Sequence, residues 1–222
     1  MAQEIFPVHP DSFNDIVAFM NKGIPWLWLL LLGTLWGLNE LTAGEAFYRA
    51  DPALGSVWLA AFAFFVLAVA RGVTNRPGTS TLVAVVAALY KAVNTEPYIC
   101  HLLGIVLLGA AFDAAAWLFL RRSTRIDLRA ALTGITGAYA GHALFACLMT
   151  FVVRYEYWTL PGLDKFRDHI FNTGSQAALA CALLVPLGLR LGGRLKTLDP
   201  GWSAIATTAA SLALWTAGFL SF

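Results

Sequence analysis

Seven mainly apolar stretches divide the chain, at about 25–46, 55–73, 79–95, 99–120, 129–153, 172–192 and 203–221. Each approaches the roughly 20 residues that a helix rising about 1.5 Å per residue needs to cross a hydrocarbon core about 30 Å thick. The third is short and carries Lys91 and Asn94, so its status needs a second argument. Ahead of the first, DSFNDIVAFMNK puts Phe13, Ile16, Val17 and Met20 on one helical face, with Ser12 and Asp15 at capping-box spacing. This predicts a short helix lying at the membrane surface, held by apolar burial because its charges are acidic. The first twenty residues carry Glu4, Asp11 and Asp15 and lack a basic start before an apolar run, so no secretory signal is expected.

The pattern therefore predicts an all-α fold, a polytopic transmembrane helical bundle. Residues 1–24 form the interfacial amphipathic segment, 25–193 a transmembrane core of six helices, and 194–222 a loop and a further C-terminal transmembrane helix.

Charge tests the third segment. With seven spans, ten of the fifteen Lys and Arg residues lie on the side of the N-terminus and five on the other. If the third segment does not cross, the split becomes seven against eight. Cytoplasmic loops carry the excess of Lys and Arg, so seven spans with the N-terminus inside is the expected topology. The expected location is a bacterial cytoplasmic (inner) membrane. Composition agrees: 59% of residues are hydrophobic and 13% charged, whereas soluble domains are about a quarter charged. A net charge of +2, without a basic run interleaved with aromatics, gives no reason to expect a nucleic-acid partner. Cys100, Cys147 and Cys181 each sit in an apolar segment and form no CxxC pair, so buried free thiols are expected, without disulfide or metal.

Polar groups at membrane depth are costly and mark candidate sites. Asn39 and Glu40 lie in the outer half of the first segment, and Lys91 and Asn94 end the third. Glu96, Tyr98 and His101 follow, and Arg154, Tyr155, Glu156, Tyr157 and Trp158 close the fifth. The seven-span topology gathers all of them at the outer end. A cluster of both charge signs with aromatic walls suits a small polar or zwitterionic molecule. Glu40, Asn39, Lys91, Asn94, Tyr98, His101 and Glu156 are the candidate binding residues. The plainer reading makes Lys91 a snorkelling side chain paired with Glu40 and the aromatics an interfacial belt.

Asp113 lies toward the inner end of the fourth segment, where an arginine is its expected partner. His142 and His101 invite the idea of two axial haem ligands, but their depths differ by about 13 Å at 1.5 Å per residue. A membrane histidine bonded to a neighbour such as Tyr139 is the simpler expectation. HExxH, GxSxG and GxxxxGK[ST] are all absent, so neither catalysis nor a cofactor is expected, and any ATPase must be another polypeptide.

Small residues recur at packing spacings: Gly33 and Gly37 in GTLWG, and Gly134, Gly137 and Gly141 in the fifth segment. Such faces bring helices together in lipid, either within the bundle or against a partner. GTLWG and the entry RPGTSTLVAVVAALYKAV into a small-residue-rich third helix are carried by a chain with an outer polar cluster. Over roughly residues 25–193 this resembles the substrate-binding S components of energy-coupling-factor transporters. The resemblance implies a six-helix core that captures a scarce micronutrient from outside and works with a transmembrane coupling subunit and two ATPase subunits. Gly33 and Gly37 would face the coupling subunit, GEAFYRADPALG would act as a lid, and a seventh span departs from the family's usual six. Two other functions compete. One is an intramembrane enzyme acting on a lipid or quinone through Glu40 or His142; the other is a structural or assembly protein.

Overall fold

The computed structural model describes residues 26–92, 99–120, 126–198 and 200–220. The proposed surface helix within 1–24, and Asn94, Glu96 and Tyr98, lie outside the described residues. Every regular element described is helical. Helix α1 covers 26–39 and continues through a π-helical turn, Glu40–Gly44, into α2, Glu45–Ala50. Then come α3, Pro52–Thr74; α4, Thr79–Ala92; α5, Ile99–Leu120; and α6, Ile126–Cys147, extended by a π-helical segment, Leu148–Val153. The short helices α7, Glu156–Thr159, and α8, Leu163–Asp168, lead through a third π-helical turn, His169–Thr173, into α9, Gly174–Leu195. Helix α10 is Pro200–Leu220.

Among the described residues four stretches are long and apolar enough to cross a membrane: Ala53–Thr74, Ile99–Leu120, Leu128–Val153 and Leu163–Leu195. Thr79–Ala92 and Ala204–Thr216 are apolar but shorter. The outer faces agree with a lipid environment. Leu89, Leu118, Leu144, Leu179 and Leu183 are exposed, while Ala63, Ala68, Ala84, Ala87 and Ala138 are buried. Small residues inside and large apolar ones outside is the arrangement expected where close backbone approach, and not apolar burial, holds helices together.

Close contacts set the topology. Gly33 meets Val86 and Gly37 meets Tyr90, so α1 and α4 run parallel with matched four-residue steps. Gly109 meets Ala84 while Asp113 reaches Thr81, so α5 runs antiparallel to α4. Gly104 against Phe145 and Gly141 against Leu108 make α6 antiparallel to α5. Gly134 lies against Cys181 and Gly174 against His142, which makes α9 antiparallel to α6. Gly188 beside Ala68 and Gly192 beside Gly72 make α9 parallel to α3. Helix α3 runs through the middle, touching α4, α5, α6 and α9, with Phe64, Leu67 and Ala70 fully buried.

The ends of the helices are explained locally. Asp51 N-caps α3, accepting from the Ala53 and Leu54 amides at 2.8 and 3.2 Å, with Pro52 at the first helical position. The segment GEAFYRADPALG is therefore largely helical, not an open loop. Asn75 takes a left-handed conformation, φ 49°, and its amide donates to Arg71 O at 2.7 Å, closing α3 before Pro77. Gly162, φ 64° and ψ −148°, occupies a region essentially reserved for glycine and turns the chain into α8.

One boundary differs from expectation. The apolar pattern starts the sixth segment near 172 and leaves the residues from 154 onward as a connection. Helical structure instead runs from Leu163 to Leu195, so His169 lies within a candidate span. Asp164, Lys165, Arg167 and Asp168 lower the hydropathy of its first turns without interrupting the helix.

Candidate functional site

The polar cluster at the Lys91 end of the bundle is built on the parallel pair α1 and α4. Lys91 in the last turn of α4 reaches Glu40, where α1 passes into its π-helical turn, and Nζ lies 3.2 Å from Oε2. The lysine and glutamate side chains are 11% and 5% exposed. The other carboxylate oxygen, Oε1, accepts from the indole N–H of Trp36 at 3.0 Å, and Trp36 is fully buried. Both oxygens of a hidden carboxylate are thus engaged, as burial of a charge requires. Helix α4 starts next to the end of α3 and finishes beside Glu40 at the end of α1.

His101, half-buried in the first turn of α5, feels the Lys91 charge, as does Cys100. Asn39 is half-buried beside Glu40, and its Nδ2 is buried with no hydrogen-bond partner. An amide donor in that state costs about 1–3 kcal/mol, so an unmatched donor beside a charged pair calls for an acceptor. The structure therefore joins Glu40 to Lys91, with Asn39 one position before Glu40. Glu156 stands apart, exposed on α7.

Gly33 and Gly37 do not present an open face. A Cβ on Gly33 would lie 2.5 Å from Val86 Cβ, and one on Gly37 would lie 2.6 Å from Tyr90 Cβ. Their missing side chains admit α4 of the same chain, so this face is not available to a coupling subunit. Helix α10 closes the other side. Tyr90 donates to Leu214 O at 2.7 Å, its ring meets Trp215 edge-on at 4.7 Å, and the Trp215 indole donates to Thr34 Oγ1 at 3.1 Å.

A second cluster was missed by sequence reasoning. His142, 4% exposed on α6, faces His169 with ring centroids 4.9 Å apart. Its Nδ1 is 2.9 Å from Ala138 O, one turn back, and not bonded to Tyr139, whose hydroxyl is 2.6 Å from Ser175 Oγ. Trp158 meets the His169 ring edge-on at 4.9 Å, and Phe145 lies 5.8 Å from it. Lys165 stands over the Tyr157 ring at 2.8 Å and the Trp158 ring at 5.3 Å. The π-helical segments Leu148–Val153 and His169–Thr173 flank this cluster, and a further π-helical turn, Glu40–Gly44, holds Glu40. Such insertions re-aim side chains and are frequent at functional sites. The available signal was Pro161–Gly162, which marks a helix start about nine residues earlier than hydropathy does.

At the opposite end Asp113 has a different partner from the one expected. Its Oδ2 accepts from Thr81 N at 2.8 Å and Thr81 Oγ1 at 2.7 Å, in the first turn of α4. Arg71, 8% exposed at the end of α3, feels the Asp113 charge without forming an ion pair with it. The thiols also depart from expectation: Cys181 is buried, Cys100 half-buried and Cys147 exposed, and all three are free.

No family model matches the chain, and neither a curated protein nor a solved structure matches it.

Proposed function

We propose that this chain is an integral membrane solute-binding subunit of a transporter, which takes a small polar solute among Asn39, Glu40, Lys91 and His101. The observation that carries the reading is the buried, unpartnered Nδ2 of Asn39, one position before Glu40 of the cross-helix Glu40–Lys91 pair. A solute with an acceptor for Asn39 and charge to share with the pair satisfies the donor and remains oriented by two fixed helices. In this reading the protein is multi-pass in a bacterial inner membrane with its N-terminus inside. An S-component-like partnership with a coupling subunit and ATPases would use a face other than Gly33–Gly37.

The test is native mass spectrometry of gently purified protein, followed by binding measurements with whatever small molecule co-purifies. Asn39→Ala and His101→Ala, which leave the Glu40–Lys91 pair intact, are expected to lower its affinity at least tenfold while the protein stays monodisperse. Normal binding by both folded variants removes the site from this position.

A further inference from the structure

The histidine pair carries an inference separate from the solute reading. Backbone carbonyls only accept hydrogen bonds, so His142 Nδ1, 2.9 Å from Ala138 O, holds the ring proton. That leaves Nε2 with a free lone pair. Metal-binding imidazoles are held in this way, with the second ring nitrogen anchored on a carbonyl or carboxylate. His169 supplies the facing ring, 4.9 Å away and tilted by 36°. Trp158, perpendicular to the His169 ring at 4.9 Å, and Phe145, tilted at 5.8 Å, pack against it.

The spacing decides which metal geometry fits. A metal–nitrogen bond of about 2.0–2.1 Å puts each ring centre about 3.2 Å from the ion. Two centres 4.9 Å apart then subtend an angle of about 100° at the ion, a cis pair in a tetrahedral or octahedral site. Trans ligation, as in a haem with two axial histidines, needs centres about 6.4 Å apart and does not fit. Among the described residues no third His, Cys, Asp or Glu joins the pair. The remaining positions would be open to water or small ligands, which makes the site exchangeable and not structural.

We propose that His142 and His169 form a two-imidazole site for a divalent first-row cation such as Zn²⁺, Ni²⁺ or Co²⁺, metals that imidazole favours. Lys165 is the counterweight. Its charge acts on His169, although its ammonium is turned onto the rings of Tyr157 and Trp158. Removing that charge strengthens cation binding.

The experiment titrates Co²⁺ into the full-length chain in nanodiscs, without a polyhistidine tag and with His9→Gln throughout. Calorimetry and the visible cobalt spectrum report binding. The proposal expects one site, weakened at least tenfold by His142→Gln and by His169→Gln and tightened several-fold by Lys165→Met. No binding by the parent, or full binding by both folded histidine variants, overturns it. Should the histidine variants fail to fold, Lys165→Met decides: unchanged or weaker Co²⁺ affinity overturns the proposal.

Discussion

Lys91 and Glu40 meet at 3.2 Å across two parallel helices, and the carboxylate is held from its other side by the Trp36 indole at 3.0 Å. Fifty-one positions separate the two charges in the chain, so their contact depends on α4 crossing the bundle after α3 has crossed it the other way. It fixes the end of α4 beside the end of α1.

Removing one partner strands the other charge in a poorly solvated position. Glu40→Ala or Lys91→Ala is expected to cost about 3–5 kcal/mol, whereas the paired replacement Glu40→Met with Lys91→Met recovers most of the loss. Thermal unfolding of the three variants in one detergent checks this. A double variant no better than the singles would show that the pair does not act as a unit.

Gly37 admits the Tyr90 side chain against the backbone of α1. Gly37→Ala places a methyl 2.6 Å from Tyr90 Cβ, an atom that cannot move without its helix. The expected cost is about 1–3 kcal/mol from overpacking, read as a lowered denaturation midpoint of the isolated chain. An unchanged midpoint would return this face to the list of partner surfaces.

Tyr90 and Trp215 dock α10. Tyr90→Phe removes the 2.7 Å bond to Leu214 O and is expected to cost about 0.6 kcal/mol, the usual scale for such bonds within membranes. Trp215→Ala also removes the ring contact and the bond to Thr34, so it should be the larger loss. Thermal denaturation midpoints of the two variants in one detergent should fall in that order.

Asp113 tethers the first turn of α4 through both the amide and the hydroxyl of Thr81. Asp113→Ala is expected to cost about 0.5–2 kcal/mol, as the loss of a helix cap does, and also leaves Arg71 without its nearby carboxylate. Asp113→Asn retains an acceptor and should be milder. Equal losses in an unfolding titration would mean that the charge, not the acceptor, matters.

Much of this was legible along the chain because it is local. The apolar runs mark the four long helices, and Lys91 and Glu40 stand out as charges in apolar surroundings, which sequence reasoning could already pair. Asp113 was legible as costly but not in its partner, because Thr81 reaches it only through the antiparallel packing of α4 on α5. Gly33 and Gly37 were legible as a close-approach face, but the helix that approaches depends on packing.

The amino-acid sequence by itself determined that the chain is helical and rich in apolar surface, since side-chain hydropathy and the rise of a helix are properties of each stretch alone. Tertiary structure decided which polar groups meet. His142 and His169 are 27 positions apart, and hydropathy assigns them to a span and a loop. They come together because the helix after Gly162 begins early and packs antiparallel on α6, with a π-helical turn starting at the second histidine. Packing and helix register set that encounter, and neither can be read from the two segments separately.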